Sequence, residues 1–163
     1  MFGDVPYMQK AIFGAGCFWG VELTFSKMEG VVSTAVGYCG GKMPDPTYEI
    51  VCTGQSGHAE VVLVEFDPEK VSFDKLLDKF WLLHDPTTLN RQGPDIGTQY
   101  RSVIFFQDED QAALSKASKD KLQESGRYKN DVVTEIVSAQ KFYRAEEYHQ
   151  KYLEVRGLGN CHT

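Results

Sequence analysis

Lys10-Ala11-Ile12-Phe13-Gly14-Ala15-Gly16-Cys17-Phe18-Trp19-Gly20-Val21-Glu22-Leu23-Thr24-Phe25 is the stretch that sets the architecture. Its first six residues form a short apolar run ending in a Gly14/Gly16 turn, which predicts a strand over Lys10–Ala15. The following residues predict a helix over Cys17–Met28, with Phe18, Val21, Leu23 and Phe25 as candidate buried positions and Gly30 closing it. A cysteine therefore stands where a strand becomes a helix. The unsatisfied N–H groups and the dipole at a helix start favour a thiolate, the nucleophilic form of cysteine. Gly14 and Gly16 permit a close backbone approach, and Phe18 and Trp19 set two aromatic rings beside the thiol. On these residues alone a second reading stands beside the first: a cysteine packed in a core helix as a small hydrophobe.

Further along the chain, Val31–Tyr38 and His58–Phe66 are rich in β-branched residues and predict strands. A long Gly- and Pro-containing loop, 39–57, separates them, and loops of that length usually carry function. Phe73, Leu76, Leu77 and Phe80 fall on one face of a helix predicted over Phe73–Leu83, with Asp74 in its first turn complementing the dipole. A second long loop spans His84–Gln99, and a strand is predicted over Tyr100–Phe106. Asp108 caps a polar helix, with Gln111 at the capping-box position. A strand over Val132–Ser138, a short helix over Ala145–Leu153 and a Gly-rich tail complete the pattern. The first six elements run β-α-β-β-α-β, the order of a ferredoxin-like split βαβ. The expectation is an α+β fold of two layers, with a mixed sheet covered by helices on one face and two long loops that carry the active site. It forms a single domain, with 154–163 as a flexible C-terminal tail.

A chain of 163 residues suits one domain with a sizeable core. A net charge of -6 without a basic run argues against a nucleic-acid surface and a polybasic membrane anchor. The first ten residues lack the apolar segment of a signal peptide, and the apolar runs are strand-sized. Four cysteines, at 17, 39, 52 and 161, show no CxxC and no regular spacing, which argues against a disulfide scaffold and for the reducing cytoplasm. His58, His84, His149 and His162 are not at metal-ligand spacing, so no metal or other cofactor is expected. Cys52 reads as a packing residue.

The motifs together resemble the A-class peptide-methionine sulfoxide reductases. Gly16-Cys17-Phe18-Trp19-Gly20 matches that family's signature. In order there follow Gly37-Tyr38 with Gly40-Gly41, Pro46-Thr47-Tyr48, Val51-Cys52 and Gly57-His58-Ala59-Glu60. Then come His84-Asp85-Pro86, Asn90-Arg91-Gln92-Gly93 with Asp95, Gly97-Thr98-Gln99-Tyr100-Arg101-Ser102, and Tyr148-His149-Gln150-Lys151-Tyr152-Leu153. The match runs over roughly residues 10 to 155.

The resemblance implies that the Cys17 thiolate attacks the sulfur of methionine S-sulfoxide, in proteins or as the free amino acid. Glu60, Tyr48 and Tyr100 would protonate or hydrogen-bond the sulfoxide oxygen, Asp95 would order the site, and Phe18 and Trp19 would hold the substrate methyl group. Glu60 opens the apolar stretch Val61-Val62-Leu63-Val64, whose desolvation favours a protonated carboxyl that can act as a general acid. Read without the resemblance, Glu60 is a solvated strand edge, Tyr48 and Tyr100 are ordinary aromatics and Asp95 is a turn residue. The resemblance further implies Cys161 as the thiol that condenses with the Cys17 sulfenic acid, and thioredoxin as the reductant. Cys39 is a rival resolving residue, and the chain has one C-terminal cysteine where many relatives have two. A monomer is expected. Two other classes remain open at this point: a Cys–His acyl-transfer enzyme using His58 or His149, and a module that grips methionine without turnover.

Overall fold

The computed structural model describes residues 7–157. In chain order its elements are β1 (Gln9–Ala15), α1 (Phe18–Ser26), β2 (Val31–Cys39), α2 (Tyr48–Cys52), β3 (Ala59–Phe66) and α3 (Phe73–Leu82). There follow β4 (Arg91–Gln92), β5 (Asp95–Ile96), β6 (Ser102–Phe106), α4 (Glu109–Glu124), β7 (Glu135–Ser138), β8 (Tyr143–Arg144) and α5 (Tyr152–Val155). The fold is α+β. Six strands form a mixed sheet in the order β7-β6-β1-β3-β2-β8. All its pairs are antiparallel except β6 with β7.

The apolar run of β1 follows from its central place. It is flanked by β3, with Ile12 opposite Leu63, and by β6, with Phe13 opposite Ile104. Alternation along a strand sends successive side chains to opposite faces. Ala11, Phe13, Val62, Val64 and Phe66 therefore join Phe25 of α1 and Phe80 of α3 in the main core. Phe13 is its centre, with ring centroids 5.0 Å from Phe25 and 5.2 Å from Phe80. The other face carries Ile12, Cys39, Ala59, Val61, Val103 and Phe105, covered by Ala139 and Phe142. Truncating a ring like Phe13 to alanine costs about 3–5 kcal/mol in such a core.

Several expectations change in detail. The loop 39–57 contains α2, which Thr47 caps by accepting a hydrogen bond from Ile50 N at 3.3 Å. Five residues are too few to show helical periodicity. The loop 84–99 contains the β4–β5 hairpin, and Thr98–Tyr100 is a 3-10 turn, so the strand begins at Ser102 rather than Tyr100. The strand expected from Val132 is regular only over Glu135–Ser138.

The helix expected over Ala145–Leu153 does not form. Its place is taken by a 3-10 turn at Glu147–His149 and the start of α5. The Gln150 amide accepts from Val36 N at 2.9 Å and donates to Val36 O and Ala145 O, extending the hydrogen bonding of the β2 edge. Lys151 then adopts φ 51°, and its N–H donates to the buried Glu22 carboxylate of α1 at 2.6 Å. These tertiary bonds outweigh local helix propensity. Among the described residues, no helix is long and apolar enough to cross a membrane.

Candidate active site

Cys17 is the N-cap of α1, half-buried, one residue before the first helical position. Its placement depends on Gly16, whose φ of +95° disfavours a side chain. A Cβ there would also meet Cβ and Cγ of Gln92 at 2.9 Å. Gln92 is itself fixed, accepting from Asp85 N and donating to Asp85 O, both at 2.8 Å. The β4–β5 hairpin is thus packed against the turn that presents the thiol.

Glu60 reaches the same point from β3. It lies opposite Tyr38 of β2, shares the core face with Val62, and is 1% exposed. Its Oε1 accepts the Phe18 N–H at 3.2 Å, so this carboxyl sits at the first turn of the helix that Cys17 caps. The strand carries the acid and the helix carries the thiol.

Two phenols border the carboxyl. Tyr48, the first residue of α2, stacks 6.4 Å from Phe18 and lies tilted 4.4 Å from His149. Burial pushes its hydroxyl above the usual tyrosine range, and the Cys52 side chain and the Glu60 charge add to this. Burial does the same to Tyr100, helped by Glu60, Cys52, Asp95 and Cys17. Both hydroxyls therefore stay protonated and act as neutral donors. Asp95 stands in β5, near enough to Tyr100 to act on it electrostatically.

The aromatic wall is built around His149, which is fully buried. Trp19 Nε1 donates to His149 Nδ1 at 3.0 Å, so the imidazole proton lies on Nε2. Burial pushes this histidine below its ordinary range. Phe18 lies 5.3 Å from the same ring and is 1% exposed, which makes it part of the floor. Trp19 is half-buried and stacks at 3.7 Å on Tyr152.

A thiol at a helix start, a buried carboxyl at the same turn and two protonated phenols can attack a soft electrophilic centre and protonate an oxygen attached to it. Comparison with known proteins decides which. The model for the family described as peptide methionine sulfoxide reductase matches residues 9–163. The chain belongs to this family. A curated peptide methionine sulfoxide reductase MsrA of Methanothermobacter thermautotrophicus is 59% identical over 154 residues, covering 94% of this chain and 91% of the relative. Mxr1 of Saccharomyces cerevisiae in reduced form superimposes with a TM-score of 0.88 at 36% identity, covering 94% of this chain and 88% of that one. A structure of Mxr1 in complex with Trx2 matches with a TM-score of 0.64 at 24% identity, over 91% of this chain and 86% of that one. At that identity the likeness is one of fold.

This peptide methionine sulfoxide reductase catalyses the reduction of methionine sulfoxide. Of the residues expected at its site, Cys17, Phe18, Trp19, Tyr48, Glu60, Asp95 and Tyr100 come together. Cys161 lies outside the described residues. Cys39 is fully buried on the sheet face opposite Tyr38 and Glu60, with its thiol donating to Gln140 O at 3.6 Å. Burial pushes that thiol up. Both ring nitrogens of His58 are engaged by loop backbone, Nδ1 accepting from Gly41 N and Nε2 donating to Met43 O, so His58 is not placed as a catalytic base.

Cys52 corrects the packing expectation. It is exposed, beside Tyr48, and within electrostatic reach of Glu60 and Tyr100. No periodicity could have found it, because α2 is five residues long. Glu146 was also missed. It accepts from Tyr38 OH and Tyr48 N, both at 2.9 Å, and so fixes the start of α2. Burial pushes its carboxyl up, but these bonds outweigh burial and hold it below the usual range.

Proposed function

We propose that Cys17 is the nucleophile of this methionine sulfoxide reductase and that Glu60 is its general acid, assisted by Tyr48 and Tyr100. The 3.2 Å bond between Glu60 Oε1 and Phe18 N carries the reading, because it fixes the carboxyl one residue from the thiol. The Cys17 sulfur attacks the sulfoxide sulfur while the oxygen is protonated. Oxygen passes from one sulfur to the other, leaving methionine and a Cys17 sulfenic acid. Asp95 orders the Tyr100 side of the site. Phe18 forms the floor and Trp19 one wall for the methyl group. A pocket with distinct places for methyl and oxygen accepts one sulfur epimer, and the family resemblance points to S.

Cys161 then attacks the sulfenic acid, forming a Cys17–Cys161 disulfide and releasing water. The burial of Cys39 on the opposite sheet face supports Cys161 over Cys39. Thioredoxin returns both cysteines to thiols. The Mxr1–Trx2 complex supports this step by analogy of fold. We read the protein as one cytoplasmic, monomeric domain acting without a cofactor; the tail expected from 154 starts later, because Glu154 and Val155 belong to α5. The β1-α1-β2-β3-α3-β6 succession supports a ferredoxin-like core.

Replacing Cys17 by serine tests the assignment. The variant is expected to release no methionine in a single turnover, because a serine hydroxyl supplies almost no anion at neutral pH. Retained single-turnover activity, or equal consumption of both epimers by the native protein, overturns the reading.

A further inference from the structure

Tyr48 stands on α2, a helix of five residues. A helix that short gains too little from its own hydrogen bonds to form alone in water, so the fold around it must hold it in place. One apolar side chain, Val51, anchors it in the main core. Its two ends are bound by polar side chains from distant parts of the chain.

At the start, Glu146 Oε2 accepts from Tyr48 N at 2.9 Å. The same carboxylate accepts through Oε1 from the buried Tyr38 hydroxyl, also at 2.9 Å, and Tyr38 lies opposite Glu60 across β2 and β3. A carboxylate at a helix start meets both an unpaired N–H and the positive end of the dipole. At the other end, Thr53 N and Gly54 N donate to the carbonyls of Ile50 and Val51, and Cys52 O accepts from Gln99 Nε2 at 3.3 Å. Gln99 precedes Tyr100 in the 3-10 turn, so the side chain that holds the end of α2 belongs to the residue next to the second phenol.

Gln99 is 4% exposed, and its Oε1 has no hydrogen-bond partner among the described residues. A buried amide oxygen without a partner costs stability, and an apolar side chain of the same length would avoid that cost. Room for the amide is nonetheless kept, since a Cβ on Gly97 would collide with Gln99 Oε1. What the amide supplies and an apolar chain cannot is the N–H to Cys52 O. The turn does not depend on that bond: Tyr100 N donates to Gly97 O at 3.1 Å, and Arg101 Nη1 to Thr98 O at 2.9 Å.

We propose that Gln99 and Glu146 are positioning residues that clamp α2 at its two ends and so set the Tyr48 hydroxyl against the sulfoxide oxygen, with Tyr100 as the fixed reference. This deepens, and rests on, the assignment of Tyr48 and Tyr100 as donors to that oxygen. The charge of Glu60 reaches both phenols, so a shift of α2 displaces one donor at the acid and leaves the other in place.

The test is a double-mutant cycle on the full chain, read as the single-turnover rate of methionine release from saturating methionine S-sulfoxide, with urea unfolding of every variant. Gln99→Met keeps the length of the side chain and removes the donor. Glu146→Gln keeps an acceptor for Tyr38 and removes the charge at the helix start. Each is expected to slow release about fivefold to tenfold, the equivalent of one hydrogen bond. Gln99→Met should be no less stable in urea, because the unpartnered oxygen leaves with the donor. In a Tyr48→Phe background each effect should shrink below about twofold, whereas in a Tyr100→Phe background it should persist in full. Equal losses in the two backgrounds overturn the proposal, and so does a native rate in either Gln99→Met or Glu146→Gln. A Tyr48→Phe variant as fast as the native protein overturns the parent assignment, and the clamp with it. A slow Tyr48→Phe beside a fast Gln99→Met overturns the clamp alone.

Discussion

Replacing Glu60 by glutamine tests the proposed general acid, because it removes the carboxyl while keeping the shape. The glutamine carbonyl can still accept the Phe18 N–H that Glu60 Oε1 accepts at 3.2 Å, so α1 and Cys17 stay in place. Stability should change by less than about 1 kcal/mol, the net worth of an ordinary hydrogen bond. The amide can donate a hydrogen bond to the sulfoxide oxygen but cannot protonate it. A general acid contributes about 10²–10⁴-fold, which at 1.36 kcal/mol per decade is roughly 2.7–5.4 kcal/mol of barrier. Tyr48 and Tyr100 remain as neutral donors and set the residual rate. Glu60→Ala gives the contrast: it leaves the Phe18 N–H without its acceptor in a site where Phe18 is 1% exposed. That costs about 1–3 kcal/mol of stability on top of the lost rate. The assay is quenched single-turnover release of methionine from methionine S-sulfoxide, alongside urea unfolding of each variant. A glutamine variant as fast as the native protein refutes the acid assignment and moves the role to Tyr48 or Tyr100. A glutamine variant as unstable as the alanine variant refutes the geometric argument.

Three further outcomes are expected. Gly16→Ala should destabilise the protein by about 1–3 kcal/mol in urea unfolding and slow the first turnover, because φ +95° and a Cβ 2.9 Å from Gln92 both oppose it; unchanged values would show that the turn is not tight. Cys161→Ser should release about one equivalent of methionine per protein and then stop with thioredoxin, whereas Cys39→Ser should cycle normally; mass spectrometry of the oxidised native protein should find a Cys17–Cys161 pair. Burial holds His84 down at about 4, below its ordinary 6.5, so the unfolded chain takes up a proton where the native one does not. The stability this histidine contributes is complete above pH 6.5 and is lost as pH falls towards about 4, by roughly 3 kcal/mol at most. Protonation breaks a buried chain in which Nδ1 donates to Phe80 O, Nε2 accepts from Ser102, and Ser102 meets Thr134, each at 2.7 Å. Urea midpoints between pH 4 and 7 should lose this slope in His84→Gln, and a parallel slope in both proteins would place the effect elsewhere.

Much of the site was legible because its chemistry is encoded locally. Gly14, Gly16 and Cys17 specify a thiol at a strand-to-helix turn, since only glycine tolerates the backbone that the turn needs and only a helix start offers unpaired N–H groups. The β-branched runs at 31–38 and 58–66 and the 3.6-residue spacing of Phe73, Leu76, Leu77 and Phe80 likewise state their own periods. The order of the longer elements from β1 to α4 and the place of Cys17 at the start of α1 were thus written in the chain, and its motifs, taken together, gave the family.

How distant residues converge depends on the packing of the whole chain. Glu60 points at the helix start because β3 lies beside β1 and because its register puts residue 60 on the core face. Neither strand order nor register is written in any window of ten residues. Cys52 became a residue of the site because α2 carries it there, and Glu146 because Tyr38 and Tyr48 meet it across about a hundred residues of chain. The segment 145–153 shows the limit most clearly. Local propensity predicts a helix, yet Gln150 bonds to the β2 edge and Lys151 to Glu22. Buried hydrogen-bonding groups must find partners wherever the fold supplies them, and that requirement overrides preferences of a few tenths of a kcal/mol per residue.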